Sequence, residues 1–524
     1  MNIQSFSAQT ISSLSGIAVD YNKGISAEAS AKNEAAPQLN DGVCLSGKDD
    51  ADGKSKDIRS LRFLHLNDLH GAALPEGGKC GIAQVAAVVN REQDEMPGAA
   101  LTFNAGDMAE GTMVSYLTKG SVITDSLASM GCDFVTPGNH DFAWGQDTLK
   151  GMLDGTKATV LCANIEAQPG HEIGQPYALK EVNGVKVGVL GLTVDAAGFT
   201  TDDKTEGLRF NDAIATARQY LPKMKEEGAE VLVVLSHLGI ESDRKLAEAC
   251  PDIDVIIGGH SHTELPEGCR VGDTLIAQCG FKGVYVGEVN LDFDFAAKKI
   301  TSASAELIPV DASVEPDPEV ARLISGPVAE AKAKGSEVLG RALETIPYSH
   351  ESCAKLDQIQ ADSLMARFKD EGAEIALMHG RSLRADIEAG EVTYENLFNA
   401  LPHTEDYAVL MDVPGSLIKE AIEARIRSLD RFVPPSPSGF SYKYDLSQPA
   451  GSRVTEITLD DGSPLDLNKT YKMATSVAVS DKKMFDKCPK QFKESTQKIF
   501  MDYFKAGSPW KNDPDARVAD VTKH

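Results

Sequence analysis

Positive charge is what this chain lacks most. Its 524 residues hold 52 Lys and Arg against 78 Asp and Glu, a formal net charge of −26. No basic run compensates locally, which argues against a nucleic-acid polymer as partner. Nine cysteines is an odd number, and they are scattered from Cys44 to Cys488 without a C-x-x-C pair, so a disulfide framework is excluded and most read as free thiols. No apolar run approaches the roughly 18 to 20 residues that a bilayer span needs. The amino terminus, MNIQSFSAQTISSLSGIAVDYNKGI, lacks both a basic n-region and an unbroken apolar core. It is not a standard secretory signal, so the default location is cytoplasmic, and its Ser-rich, basic-poor character leaves a non-standard export signal open.

What is present is ordinary globular material. Hydrophobic residues make up 42% and charged residues 25%, and the length favours two or three domains over one core. Residues 1–57 are polar, rich in Ser, Ala, Asn, Asp and Lys, without a sustained hydrophobic period, and read as a mobile tail. From Leu61 the pattern changes to short apolar runs, each followed by Gly, Asn, Asp or His: LRFLHL (61–66), ALTFN (100–104), FVTP (134–137), ATVLC (158–162), VKVGVLGL (185–192), EVLVVLSH (230–237), DVIIGGH (254–260) and TLIAQ (274–278). Helical stretches separate them, which predicts an α/β domain over 58–310. An Ala/Glu/Lys-rich stretch over 311–345 reads as a helical linker, and 346–524 is long enough for a second core.

Histidines concentrate in strings that directly follow predicted strands: HLNDLHG (65–71), TPGNHDF (136–142), SHLG (236–239) and GGHSHT (258–263), joined by NAGDMAEGT (104–112). Strand ends of an α/β sheet share one edge, so these loops converge. Asp68 and His70 are two apart in a turn and reach one ion together, and His260 and His262 share that spacing. Asp107 can bridge two ions with its two oxygens, while Asn139 and His237 offer a neutral oxygen and nitrogen. The set contains carboxylate and imidazole but no thiolate, which suits Mn, Fe, Co or Zn, and its ligand count is enough for two divalent metals. Two such cations would clamp a phosphoryl group, so the implied chemistry is phosphate-ester hydrolysis. Any one of these strings is weak; all five in this order, each at a strand end with glycine beside it, make a specific pattern.

On these residues the chain resembles the calcineurin-like metallophosphoesterases, and more closely their 5′-nucleotidase branch, over about residues 60–510. That branch includes UDP-sugar hydrolases and 2′,3′-cyclic-nucleotide phosphodiesterases. The resemblance implies a four-layer α/β/β/α catalytic sandwich, a helical linker and a C-terminal α+β substrate domain. It implies one metal on Asp68, His70, Asp107 and His262 and a second on Asp107, Asn139, His237 and His260. His140 matches the histidine that stabilises the transferring phosphoryl group or protonates the leaving oxygen. The family often places an Asp three residues after that histidine to orient it. This chain has Ala143, which leaves the task to another group, with Asp141 the neighbouring candidate.

The segments 376–415 and 438–459 are similar to the substrate domain of the branch. Arg384 keeps its phosphate- or base-contacting arginine, His379 replaces its usual Asn, and His403 replaces the Phe that stacks on a nucleobase. SDKKMF stands at 480–485 where the branch has A-G-G-D-G-[FY], leaving Phe485 as the stacking candidate, and Arg381 is an extra cation. The resulting expectation is a two-metal phosphohydrolase for a small phosphate ester, foremost a nucleotide. A cyclic phosphodiester or other ester of the same family is an alternative substrate, and a non-catalytic metal-binding or interaction protein is an alternative from another class. Periplasmic or extracellular placement is frequent in the family. Oligomeric state is not legible.

Overall fold

The computed structural model describes residues 57–522, apart from 199, 201–203, 380–381, 403, 405, 427–433, 481–482 and 486. Of the predicted tail at 1–57, residues 1–56 lie outside the described residues, as do Arg381 and His403.

Two six-stranded sheets form the first half. One runs Lys299–Pro309, Tyr285–Asp294, Ile58–Leu66, Ala100–Asn104, Phe134–Val135, Thr159–Val160; the other runs Cys269–Val271, Thr274–Ala277, Val255–Ile257, Val231–His237, Val185–Thr193, Tyr177–Val182. Strands Ile58–Leu66, Ala100–Asn104, Phe134–Val135 and Thr159–Val160 of the first are parallel, as are the four interior strands of the second. Strand Val231–His237 is buried at every position, and alternation along it explains why. Val231, Val233 and Leu235 enter an inter-sheet core with Leu61, Phe63, Phe103 and Val255, while Leu232 and Val234 face helices Ala213–Glu226 and Ile240–Ala249. Helices Ile82–Glu95, Ser121–Ser129 and Gln146–Gly155 cover the other sheet. The layers are therefore helix, sheet, sheet, helix, as the family resemblance implies. The antiparallel hairpin Tyr285–Asp294/Lys299–Pro309 extends the first sheet beyond the predicted runs.

The stretch predicted as a linker contains helix Pro318–Gly335, with Asp317 accepting from the amides of Glu319 and Val320 at its start and proline at its first position. It packs more intimately than a spacer, because Val320, Ile324, Val328 and Ala331 join the helix-side core of the first sheet. Beyond it, a five-stranded mixed sheet in the order Ser436–Ser438, Ile375–Met378, Thr470–Ser476, Tyr407–Pro414, Lys490–Ser495 packs with helices Lys355–Phe368, Gly415–Ile426 and Thr496–Gly507. The halves meet at side chains. Tyr116 lies 5.7 Å from Phe398, ring centre to ring centre, and Trp144 Nε1 donates to Thr404 Oγ1 at 3.3 Å. All eight described cysteines are free thiols. Among the described residues, no helix is long and apolar enough to cross a membrane.

Candidate metal centre

The predicted ligands sit where the parallel strands of both sheets run out. Asp68 and His70 follow strand Ile58–Leu66, Asp107 follows Ala100–Asn104, Asn139 follows Phe134–Val135, His237 ends its strand, and His260 and His262 follow Val255–Ile257. The backbone there is bent to aim side chains inward. Asp68, His70, Asp107, His260 and His262 all have left-handed φ, between 45° and 73°, and they are half of the ten described non-glycine residues that do. Each costs on the order of 1 to 3 kcal/mol, and a fold retains such strain where surrounding contacts over-determine it. Gly138 is required by close approach, since a Cβ there would lie 2.1 Å from Asp107 Oδ1.

The ligand atoms gather in three groups. Asp68, His70 and His262 bring one ligand atom each within 4.8 Å of one another, Asp107, His237 and His260 do the same, and His70, Asp107 and His140 form a third group that links the two. Asp107 Oδ2 stands between them, 3.1 Å from His237 Nε2 and 3.9 Å from His70 Nε2. Asp68 Oδ1 lies 3.4 Å from His262 Nε2, and the Nε2 atoms of His70 and His262 are 3.0 Å apart. The rings are held from behind: His237 Nδ1 pairs with the Ala105 carbonyl at 2.6 Å and His70 Nδ1 with the Glu110 carbonyl at 3.0 Å, which directs both Nε2 atoms into the cluster. Asn67 donates to Asp68 Oδ2 at 2.6 Å and so fixes that carboxylate.

Electrostatics follow from burial and proximity. Burial pushes His70 down to about 4. His237 is equally buried, but the Asp107 carboxylate outweighs that effect and raises it to about 9. Asp107 stays well below the usual carboxylate range despite its burial, because His237, His140 and His70 surround it. Asn139 Oδ1 is buried without a hydrogen-bond partner. An unpartnered amide oxygen among imidazoles and carboxylates is a donor set short of a cation, so the residues present fit divalent metal.

One role read from the sequence is corrected here. Asp141 does not orient His140: Oδ2 accepts from the amides of Gly138 and Asp107 at 2.8 and 2.9 Å, and Oδ1 from Met108 at 2.9 Å. It staples the two metal loops together. His140 instead pairs through Nδ1 with the Glu110 carboxylate, and its amide donates to Asp107 Oδ1 at 2.8 Å. Neither Glu110 nor Phe281, which stacks on His262 at 4.9 Å with 7° between planes, was legible as part of the site. Glu110 lay inside a quoted string, two residues before a helix cap, and only its contact with a distant loop reveals it.

In the second half, His379 and Phe485 line a cavity of about 210 Å³ together with Arg425 and Met484. Phe485 is fully buried and packs in one cluster with Phe440 and Tyr442. Arg384 is exposed, its guanidinium donating to the Leu383 carbonyl at 3.0 Å, and it does not line that cavity. A larger cleft of about 510 Å³ runs from Gly71 and Gly111, beside the metal loops, to Glu395 and Asn399 on helix Tyr394–Ala400.

Two family models match the chain, one over the half that carries the ligand edge and one over the second half. Residues 61–264 match the calcineurin-like phosphoesterase family and residues 331–483 the 5′-nucleotidase C-terminal domain family. It is 28% identical over 468 residues to the trifunctional nucleotide phosphoesterase protein YfkN of Bacillus subtilis, covering 79% of this chain and 31% of that protein, so it spans about a third of that relative's length. A 5′-nucleotidase-related protein of Glossina morsitans morsitans is 26% identical, with 80% of this chain and 86% of that one covered. The crystal structure of a 5′-nucleotidase precursor from Thermus thermophilus superposes with a TM-score of 0.66 at 25% identity, covering 89% of this chain and all of that one.

Proposed function

We propose that this chain is a metal-dependent phosphoester hydrolase that holds two divalent cations and acts on a nucleotide or related small phosphate ester. The observation that carries the reading is the run of ligand groups linked through His70 and Asp107. Asp68, His70, Asp107 and His262 are assigned one cation, and Asp107, Asn139, His237 and His260 the other. Bound there, the cations would supply positive charge for phosphoryl oxygens and acidify a water. The chain's own residues do the rest. Asp107 and Asp68 anchor the charge, Asp141 fixes the spacing of the loops, and His140 offers Nε2 to the phosphoryl group or the leaving oxygen.

The division of labour places chemistry in 58–310 and substrate presentation in 346–524, joined through 311–345. Arg384, His379 and Phe485, with Arg381 and His403, are the proposed substrate contacts. The family relationship and the names of the relatives support nucleotides as the first class to try. The test is phosphate release by manganese- or zinc-loaded full chain from nucleoside monophosphates, cyclic nucleotides, nucleotide sugars and a chromogenic phosphate ester. Metal-dependent release from a nucleotide is the expected result; no release from any of them overturns the proposal.

A further inference from the structure

His140 is the residue of the metal edge with the least obvious support. Ala143, three residues on, is 3% exposed and brings no carboxylate. Asp141, next to it, spends both oxygens on backbone amides. An imidazole left without a partner chooses neither ring orientation nor tautomer, and both decide which nitrogen faces a substrate.

A carboxylate from another loop meets the ring. Glu110 Oε2 is hydrogen-bonded to His140 Nδ1, and Glu110 is 7% exposed, shielded from water that would compete for that contact. The carboxylate arrives from a segment that is itself pinned. Its own carbonyl binds His70 Nδ1 at 3.0 Å, Thr112 Oγ1 donates to the Gly71 carbonyl at 2.7 Å, and Thr112 caps helix Met113–Leu117. Gly111 follows at φ 143°, where a Cβ would meet the His70 carbonyl at 2.6 Å, so the turn that presents Glu110 needs glycine. One residue thus holds two imidazoles, His70 through its carbonyl and His140 through its carboxylate.

We propose that Glu110 is the positioning residue of His140, a carboxylate supplied from the Asp107 loop in place of one at position 143. Donation of Nδ1–H to Glu110 fixes the tautomer and leaves Nε2 facing the phosphoryl site. This rests on the hydrolase reading above. Its consequence is selective: help from His140 matters most when the departing oxygen is a strongly basic alkoxide and least when it is a weakly basic phenoxide.

The test compares wild type, Glu110→Gln and the double variant Glu110→Gln/Ala143→Asp as manganese-loaded full chains on a nucleoside monophosphate and on p-nitrophenyl phosphate. The amide keeps size and fold but no longer commits the ring to one tautomer, so kcat on the nucleotide falls on the order of 10²- to 10⁴-fold with KM little changed. The loss on p-nitrophenyl phosphate is at least tenfold smaller, and the double variant recovers at least tenfold on the nucleotide. A second readout needs no turnover: in metal-free, ¹⁵N-histidine-labelled protein, the His140 Nδ1 proton resonance moves upfield in Glu110→Gln. Equal losses on both esters, kcat within threefold of wild type, or an unmoved Nδ1 proton overturns the proposal. A wild type that hydrolyses neither ester overturns the hydrolase reading instead, and the resonance still decides whether Glu110 holds the ring.

Discussion

The metal edge is built from strand-end loops and the C-terminal cavity largely from helix Gly415–Ile426 and the turn that carries Phe485, and they differ in how their chemistry is secured. At the edge, Asp68, Asp107, Asn139 and His237 are buried, and backbone amides or carbonyls brace Asp68, Asp107 and His237, on a main chain bent into left-handed φ at five ligand positions. In the second half, Phe485 is core, Arg384 is exposed, and His379 is partly buried. The edge is committed to one ligand chemistry, whereas the cavity is an apolar niche with His379 and Arg425 on its wall. Substitutions should therefore act on turnover at the edge and on stability or KM in the second half.

The largest expected effect is at the edge. Asp107→Asn removes the charge shared by two of the three ligand groups, and turnover should fall by at least about 100-fold, more than substitution of most groups behind a metal ligand achieves. Bound metal per chain, read by elemental mass spectrometry, should fall with it. Full metal content in an inactive variant would place the role of Asp107 elsewhere.

Phe485→Ala probes the other side of the comparison. Because the ring is fully buried among Phe440 and Tyr442, truncation should cost about 3 to 5 kcal/mol of stability in urea titration. A KM unchanged from wild type would remove Phe485 from the substrate contacts.

Arg384→Ala should be the mirror image. An exposed arginine contributes within about 0.5 kcal/mol to folding, but loss of a charge-assisted contact to phosphate raises KM roughly tenfold or more with kcat unchanged. Unchanged KM would remove Arg384 from the substrate contacts.

The same contrast explains what was legible in the sequence. Strand ends announced themselves, because a strand buried on both faces must be a continuous apolar run, and the polar residue after it marks where the sheet stops. Thus Asp68, His70, Asp107, Asn139, His237, His260 and His262 were found as strings. Glu110 was not, since its partner lies 30 residues away and nothing local distinguishes it from a surface glutamate. Asp141 was misread for a related reason: adjacency to His140 suggested a partner, but a side chain one residue along a tight 3-10 turn points elsewhere, here to three amides. In the second half the order of elements could be matched, but not that Phe485 would be enclosed, because enclosure depends on strand Phe440–Tyr444 and helix Gly415–Ile426 arriving from distant sequence.

Buried aspartates give the finest form of the comparison. Asp107 and Asp357 are each 1% exposed. Asp107 is held low by three imidazoles. Asp357, at the start of helix Lys355–Phe368, accepts amides of Ser349 and Ala354 at 2.9 and 3.1 Å, and burial, with Asp386 nearby, pushes it up to about 8. An unfolded aspartate titrates near 3.9, so between about pH 4 and 8 the folded chain retains a proton that the unfolded chain has lost. The unfolded state then binds fewer protons, and stability must fall as pH rises through that window, by up to about 1.4 kcal/mol per pH unit from this group. Asp357→Asn should flatten the decline, read as urea midpoints at pH 5 and 8 against wild type. Parallel pH profiles for the two proteins would mean that the two amide hydrogen bonds suffice to keep Asp357 ionised, and that the two halves treat a buried carboxylate alike.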